Sequence, residues 1–175
     1  MQEYDVPVYK VASACLTYDP LLRAIYHTGK PVILSTGMST VPEINHALGI
    51  FYGRNDVALL VCTSTYPCRL DELNLSRILT FRRGYPNHVI GYSGHEVGLW
   101  TTLTAVALGA NIVERHLTLD RSMWGSDQAA SVEPGGMIKL VREIRDYETA
   151  FGDGRIGPIA SELPVMQKLR RQQCV

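Results

Sequence analysis

Five short apolar, β-rich runs recur along this chain, each followed by a stretch with helical signals, and this alternation narrows the fold to two architectures. The runs are Pro7–Val11, Pro31–Ser35, Val57–Cys62, His88–Gly91 and Asn111–Thr118. They begin 23 to 31 residues apart, the length of a βα unit. Several are almost continuously apolar, as expected of parallel strands covered on both faces. Asp19-Pro20 reads as an N-cap followed by proline at the first helical position, with Gly29 stopping that helix. Thr40-Val41-Pro42-Glu43 reads as a capping box. Leu99–Leu108 predicts a helix ended by Gly109. Glu133-Pro134 opens a long helix with apolar positions Met137, Leu140, Val141 and Ile144, closing near Gly152. Asp153–Pro164 reads as a linker, with a further helical turn or two over Val165–Arg171. Five βα units fit an open doubly wound sheet or part of an eight-stranded (β/α) barrel. The period alone favours the open sheet, because five strands suffice to complete it.

Charge narrows the function. Lys plus Arg and Asp plus Glu number 17 each, so no field of one sign argues for nucleic acid or an acidic membrane. No apolar stretch approaches the roughly 18 residues of a membrane helix. Met1-Gln2-Glu3-Tyr4-Asp5 has no basic region leading into an apolar run, so no signal peptide is expected. Cys15, Cys62, Cys68 and Cys174 form no C-x-x-C pair and read as free cytosolic thiols.

In both architectures, function sits beyond the C-terminal ends of the strands. Here these ends are unusually polar: Lys10-Val11-Ala12-Ser13, Ser35-Thr36-Gly37, Cys62-Thr63-Ser64-Thr65-Tyr66, Ser93-Gly94-His95 and Glu114-Arg115-His116. Side chains alternate along a strand, so Ser93 and His95 share a face, as do Glu114 and His116. Two histidines at matching heights on neighbouring strands can reach one divalent metal ion and leave positions open for substrate. The other reading is two satisfied core histidines. Lys10, Ser13, Ser35 and Ser93 supply a cation and hydroxyls suited to a phosphate. Gly37 and Gly94 would let backbone approach a ligand closely. Each serine has a local turn bond as its alternative. Asp127, in the loop after the last run, is either an acceptor for sugar hydroxyls or a turn former. His27, His46 and His88 read as structural or solvated. No Walker loop or G-x-G-x-x-G opens any unit, which disfavours a nucleotide-binding fold.

These segments resemble the sialic acid (N-acetylneuraminate) synthase family, which includes the legionaminate, pseudaminate and spore-coat polysaccharide synthases. The resemblance is carried by Tyr9-Lys10-Val11-Ala12-Ser13, Lys30-Pro31-Val32-Ile33-Leu34-Ser35-Thr36-Gly37-Met38, Cys62-Thr63-Ser64-Thr65-Tyr66-Pro67, Gly91-Tyr92-Ser93-Gly94-His95-Glu96, Ala105-Val106-Ala107-Leu108-Gly109-Ala110 and Glu114-Arg115-His116-Leu117-Thr118-Leu119-Asp120. It runs from about Tyr4 to Gly152. It implies a partial (β/α)8 barrel holding the fourth to eighth βα units, with 1–152 as the C-terminal portion of the barrel and 153–175 as linker and short helix. The implied chemistry condenses phosphoenolpyruvate with N-acetylmannosamine or a related amino sugar, with manganese or magnesium as metal. On that resemblance His95 and His116 are metal ligands, with Glu114 in a supporting role. Lys10, Ser13, Ser35 and Ser93 are phosphoenolpyruvate contacts, and Ser64, Tyr66 and Asp127 are sugar contacts.

The chain departs from the family pattern at Ser13-Ala14-Cys15, where an acidic residue usually follows Ser-Gly, and at Ser64 and Gln128. The family's first three βα units, and the antifreeze-like domain that follows its barrel, have no counterpart here. The resemblance further implies a cytoplasmic homodimer. The expectation is therefore a fragment with exposed edges at Val6–Val11 and Asn111–Thr118 and little activity alone. The alternative is a non-catalytic sugar-phosphate or metal-binding module of the same fold.

Overall fold

A computed structural model describes residues 4–54 and 56–171, so the expected thiol Cys174 lies outside the described residues. Five strands alternate with helices. They are β1 (Tyr9–Val11), β2 (Val32–Ser35), β3 (Val57–Cys62), β4 (Val89–Gly94) and β5 (Val113–Arg115). The helices are α1 (Asp19–Tyr26), α2 (Val41–Ile50), α3 (Leu70–Leu73), α4 (Arg77–Gly84), α5 (Trp100–Ala107), α6 (Pro134–Phe151) and α7 (Leu163–Leu169). All four strand pairings are parallel, and the spatial order is β1-β2-β3-β4-β5. An open doubly wound sheet reverses its order at a switch point. A strictly sequential order is that of a barrel wall, so the open sheet favoured by the βα period is excluded.

Curvature confirms this. In a flat sheet β1 and β5 would stand roughly 19 Å apart, four gaps of about 4.8 Å. That is more than a lysine and a glutamate can bridge. Yet Lys10 Nζ on β1 lies 3.2 Å from Glu114 Oε2 on β5. The sheet therefore curls into a half-barrel, with the polar ends of its first and last strands meeting inside. β1 and β5 are its outer strands, as expected of the two edges.

The outer face of this half-barrel carries the core. Tyr9, Val11, Val32, Leu34, Val57, Leu59, Val61, Ile90 and Tyr92 pack under Leu22, Ile25, Ile44, Phe51, Ile78 and Ala105 of the helices. The inner face is apolar towards the N-terminal ends of the strands. There Val8, Ile33, Ala58, Val89 and Ile112 line an open cavity of about 230 Å³, and Val89 is half exposed.

The Thr40–Glu43 capping box forms as expected. Asp19 does not cap α1. Tyr18 occupies the N-cap, and the Asp19 carboxylate turns instead to His46 Nε2 at 2.9 Å and to Arg23. The fourth strand runs to Gly94, beyond the expected Gly91. The fifth is confined to Val113–Arg115, because Leu117 leaves the ladder to pair with Val132. The sequence reading named no element between β3 and β4, where α3 and α4 form and Leu73 and Ile78 are buried. In α6 only Leu140 of the four expected apolar positions is fully buried, and Val141 is exposed.

The two faces should respond differently to truncation. Leu59→Ala removes a wholly buried side chain from under the helices and should cost about 2–5 kcal/mol of unfolding free energy. Val89→Ala, on the open face, should change it by only about 0.5 kcal/mol. Urea denaturation of the two variants measures the difference, and equal losses would contradict the half-barrel.

Candidate functional site

Strand pairing explains why the polar residues converge. Cys62 is registered against Ser93, and Ser93 against Glu114, so one row crosses three strands on the inner face. Lys10 and Ser35 point to the same face. His95 and His116 follow two residues above Ser93 and Glu114 and keep their parity. Ser13 sits on a 3-10 turn immediately after β1.

Two polar networks result. In the first, Glu114 accepts from Ser93 Oγ at 3.0 Å and pairs with Lys10 at 3.2 Å. Lys10 also donates to the Val11 carbonyl at 3.0 Å. The expected phosphate-binding cation thus has an internal carboxylate partner, and Glu114 joins Lys10 and Ser93. In the second, His95 Nδ1 donates to the Thr63 carbonyl at 2.8 Å. His116 Nδ1 lies 3.4 Å from Asp127 Oδ2. The two imidazole centroids are 5.1 Å apart with rings at 86°, and the Tyr66 ring lies 4.2 Å from His95 and 5.9 Å from His116. Ser35 Oγ is buried with no hydrogen-bond partner.

Between the networks lies Cys62, which the sequence reading took only as a free thiol. Ser13 Oγ donates to its sulfur at 3.5 Å, and Ser64 Oγ and His95 Nδ1 lie 3.8 and 3.9 Å away. Its register with Ser93 was the signal available from strand parity. Burial opposes charge on both Cys62 and His95. Their mutual hydrogen bond, with help from Ser13 at the thiol and from the Thr63 carbonyl at the imidazole, outweighs it. The thiol is thereby held below the usual cysteine value and the imidazole above the usual histidine value. Burial, followed by the charges of Cys62 and Asp127, raises the Tyr66 phenol.

The glycines divide. Gly37 donates its N–H to Ser13 Oγ at 3.0 Å, and a Cβ there would collide with Ser64 Oγ and come within 2.8 Å of Ser13 Oγ. Gly94 has no inward role, contrary to the expected approach to a ligand. A Cβ there would meet Glu96 and Tyr92 at 2.7 Å, because residue 94 has the opposite parity to Ser93 and His95.

The donor set suits an open metal site. Among the described residues no group of three or more His, Cys, Asp or Glu is arranged to hold a metal ion. An ion here would rest on two protein ligands and leave the remaining positions to water or substrate. The Thr63 carbonyl holds the His95 Nδ1–H, which fixes that tautomer and leaves its Nε2 free to ligate, and His116 Nδ1 faces the Asp127 carboxylate. The residues present therefore fit a divalent ion bound through His95 and His116.

A half-barrel with polar residues gathered at the C-terminal ends of its strands has the architecture of a (β/α)-barrel enzyme. The match to the NeuB family model covers residues 1–156, and the chain belongs to that family. It is 41% identical over 173 residues to an uncharacterized protein of Methanocaldococcus jannaschii, covering 98% of this chain and 51% of that protein. It is 37% identical over 170 residues to the human N-acetylneuraminate-9-phosphate synthase, covering 97% of this chain and 47% of the relative. The crystal structure of an N-acetylneuraminic acid (sialic acid) synthetase from Leptospira borgpetersenii, in complex with citrate, superposes with a TM-score of 0.84 at 38% identity. That likeness covers 98% of this chain and 61% of the synthetase chain. The chain spans about half the length of the curated relatives it matches.

The crowding at Gly37 is open to test. Gly37→Ala should lower the thermal midpoint, and adding Ser64→Gly should recover part of the loss by removing the worst collision. Thermal denaturation of the single and double variants checks this. An unchanged midpoint in Gly37→Ala would show that the crowding is not real.

Proposed function

We propose that this chain is the fourth to eighth βα units of a (β/α)8 barrel whose complete form condenses phosphoenolpyruvate with N-acetylmannosamine, a related amino sugar, or its 6-phosphate. The products are a nine-carbon 2-keto sugar acid and phosphate. Family membership supports the reaction class, and the named relatives include synthases of this kind. The observation that carries the reading is the pair of imidazoles, with centroids 5.1 Å apart, just beyond the two strands that bear Ser93 and Glu114, which form a network with Lys10 of β1.

In this reading His95 and His116 hold manganese or magnesium. When bound, such an ion supplies Lewis-acid polarisation of the sugar aldehyde. Lys10, Ser13, Ser35 and Ser93 hold the phosphate of phosphoenolpyruvate. For this Lys10 exchanges the Glu114 carboxylate for the phosphate, and a phosphate oxygen satisfies the unpartnered Ser35 hydroxyl. Ser64, Tyr66 and Asp127 contact the sugar. With both substrates held, the enol carbon of phosphoenolpyruvate attacks the aldehyde carbon. Water adds at the carbon that bears the phosphate, its proton passes to the alkoxide formed from the aldehyde, and the C–O bond to phosphate breaks as phosphate leaves. Positioning of this kind supplies roughly 7–11 kcal/mol of such a barrier.

The first three βα units of the barrel, and a C-terminal domain, belong to the complete enzyme in this reading. Its working form is a cytoplasmic homodimer with small-molecule substrates and no nucleic acid or membrane partner. No helix among the described residues is long and apolar enough to cross a membrane.

Two measurements test the proposal. Titration of manganese followed by electron paramagnetic resonance should show binding to the 175-residue chain and its loss in the His95→Ala, His116→Ala double variant. Equal binding by both would remove the metal assignment. Phosphate release from phosphoenolpyruvate with N-acetylmannosamine and manganese should stay well below about one turnover per second, the low end of ordinary enzyme rates. A faster rate would show that five βα units are a complete enzyme.

A further inference from the structure

His95 and His116 face the inside of the half-barrel, and the residue beside each faces outward. Glu96 follows His95, and Arg115 precedes His116. These two outward side chains meet. Arg115 Nη1 lies 3.0 Å from Glu96 Oε1, and the side chains are 1% and 0% exposed. Glu96 Oε1 also accepts from the Thr101 and Thr102 hydroxyls at 2.6 and 3.2 Å, and Oε2 accepts from Tyr92 at 2.9 Å. The Gly94 position is crowded by this carboxylate.

Stability alone does not account for the pair. Desolvation of two buried charges offsets most of their attraction, and apolar residues of similar volume often hold a fold equally well. What apolar residues cannot do is bind backbone carbonyls. Arg115 donates to the Glu96 carbonyl at 2.6 Å, the Gly98 carbonyl at 3.0 Å and the Ala130 carbonyl at 3.4 Å. The first lies beside His95 and the second just before α5. The third belongs to the turn that follows Asp127, the carboxylate His116 meets. One guanidinium therefore ties together the backbone beside His95, the backbone beside His116 and the loop that orients His116.

We infer that the Glu96–Arg115 pair is a positioning device that sets, from behind the sheet, the separation and ring orientation of His95 and His116. Neither side chain reaches the inner face, so the pair acts only through its neighbours. Loss of such outer contacts typically costs a metal site 10- to 100-fold in affinity. The inference rests on the proposed metal role of the histidines for one of its two readouts. The other needs no metal.

The test uses the 175-residue chain with Glu96→Leu and Arg115→Met together, which removes both charges at similar volume. The double variant should still unfold cooperatively, at a lowered midpoint because the Tyr92, Thr101 and Thr102 hydroxyls lose their acceptor, and should bind manganese about 10- to 100-fold more weakly. In metal-free protein, nitrogen-15 spectra of the imidazoles should show His95 as a single Nδ1-protonated tautomer in the wild type and as mixed tautomers in the variant. A folded variant with wild-type manganese affinity and wild-type imidazole spectra overturns the inference. If the wild type binds no manganese, the metal reading fails and the imidazole spectra alone decide: unchanged tautomers overturn the positioning role, and mixed tautomers uphold it. If the double variant does not fold, Arg115→Lys replaces it. An ammonium keeps the charge but lacks the planar fork, so the same two changes are expected at smaller size, and their absence is equally fatal.

Discussion

A parallel strand cannot choose its inward residues one at a time. Alternation fixes them as a set, and register with the neighbours fixes their height. In this half-barrel the register of Cys62 with Ser93 and of Ser93 with Glu114 decides everything at the rim. A slip of one residue in β4 would turn Tyr92 and Gly94 inward and push Ser93 and His95 under the helices. Packing on the far side prevents it. Tyr92 is buried there with its hydroxyl on Glu96, and Leu59, Val61 and Ile90 are buried around it. The apolar face, which has no chemistry, thus holds the chemical face in place.

Two ion pairs lie on opposite sides of this sheet, and their surroundings give them opposite characters. Lys10 and Glu114 are about a third exposed, so water and counterions screen their attraction and an incoming anion can take the place of Glu114 at Lys10. Glu96 and Arg115 are sealed, and every exchange there would strand a charge in a dry environment. An exchangeable pair suits a surface that binds substrate. A sealed pair suits a frame.

Much of this was legible in sequence, and the reasons differ by element. The inward parity of Ser93 with His95 and of Glu114 with His116 follows from counting by two, and the site shows those residues gathered. The Thr40–Glu43 box needs only four residues and no tertiary partner. Choosing a half-barrel over an open sheet required either the resemblance or the strand order, because the βα period is common to both. The helices α3 and α4 were not legible. They are four and eight residues long, too short to show a clear period, and tertiary packing of Leu73 and Ile78 decides their state. Asp19 was misread because a local capping rule competed with partners 4 and 27 residues away, Arg23 and His46. Cys62 was missed because a thiol at a strand end looks like any other buried cysteine until its three polar neighbours are seen.

The two histidines are not held alike, and the difference bears on what the site can accept. His95 is buried, its ring bonded to the Thr63 carbonyl and its own carbonyl accepting from the Cys68 amide at 2.9 Å. His116 is a third exposed, and its ring partner Asp127 is half exposed on a loop. Rigidity therefore falls from the β3–β4 side of the rim to the β5 side. Under the proposed function the phosphate contacts Lys10, Ser13, Ser35 and Ser93 stand on or immediately beside strands, whereas Asp127 stands on the loop beyond β5. A substrate common to every reaction of such a family calls for a fixed subsite, because one geometry serves all. A sugar that varies calls for an adjustable one. Loops tolerate sequence change better than strands do, because fewer buried contacts depend on them. Under that proposal, the loop that carries Asp127 is where a choice between sugars would be made without disturbing the buried Glu96–Arg115 pair.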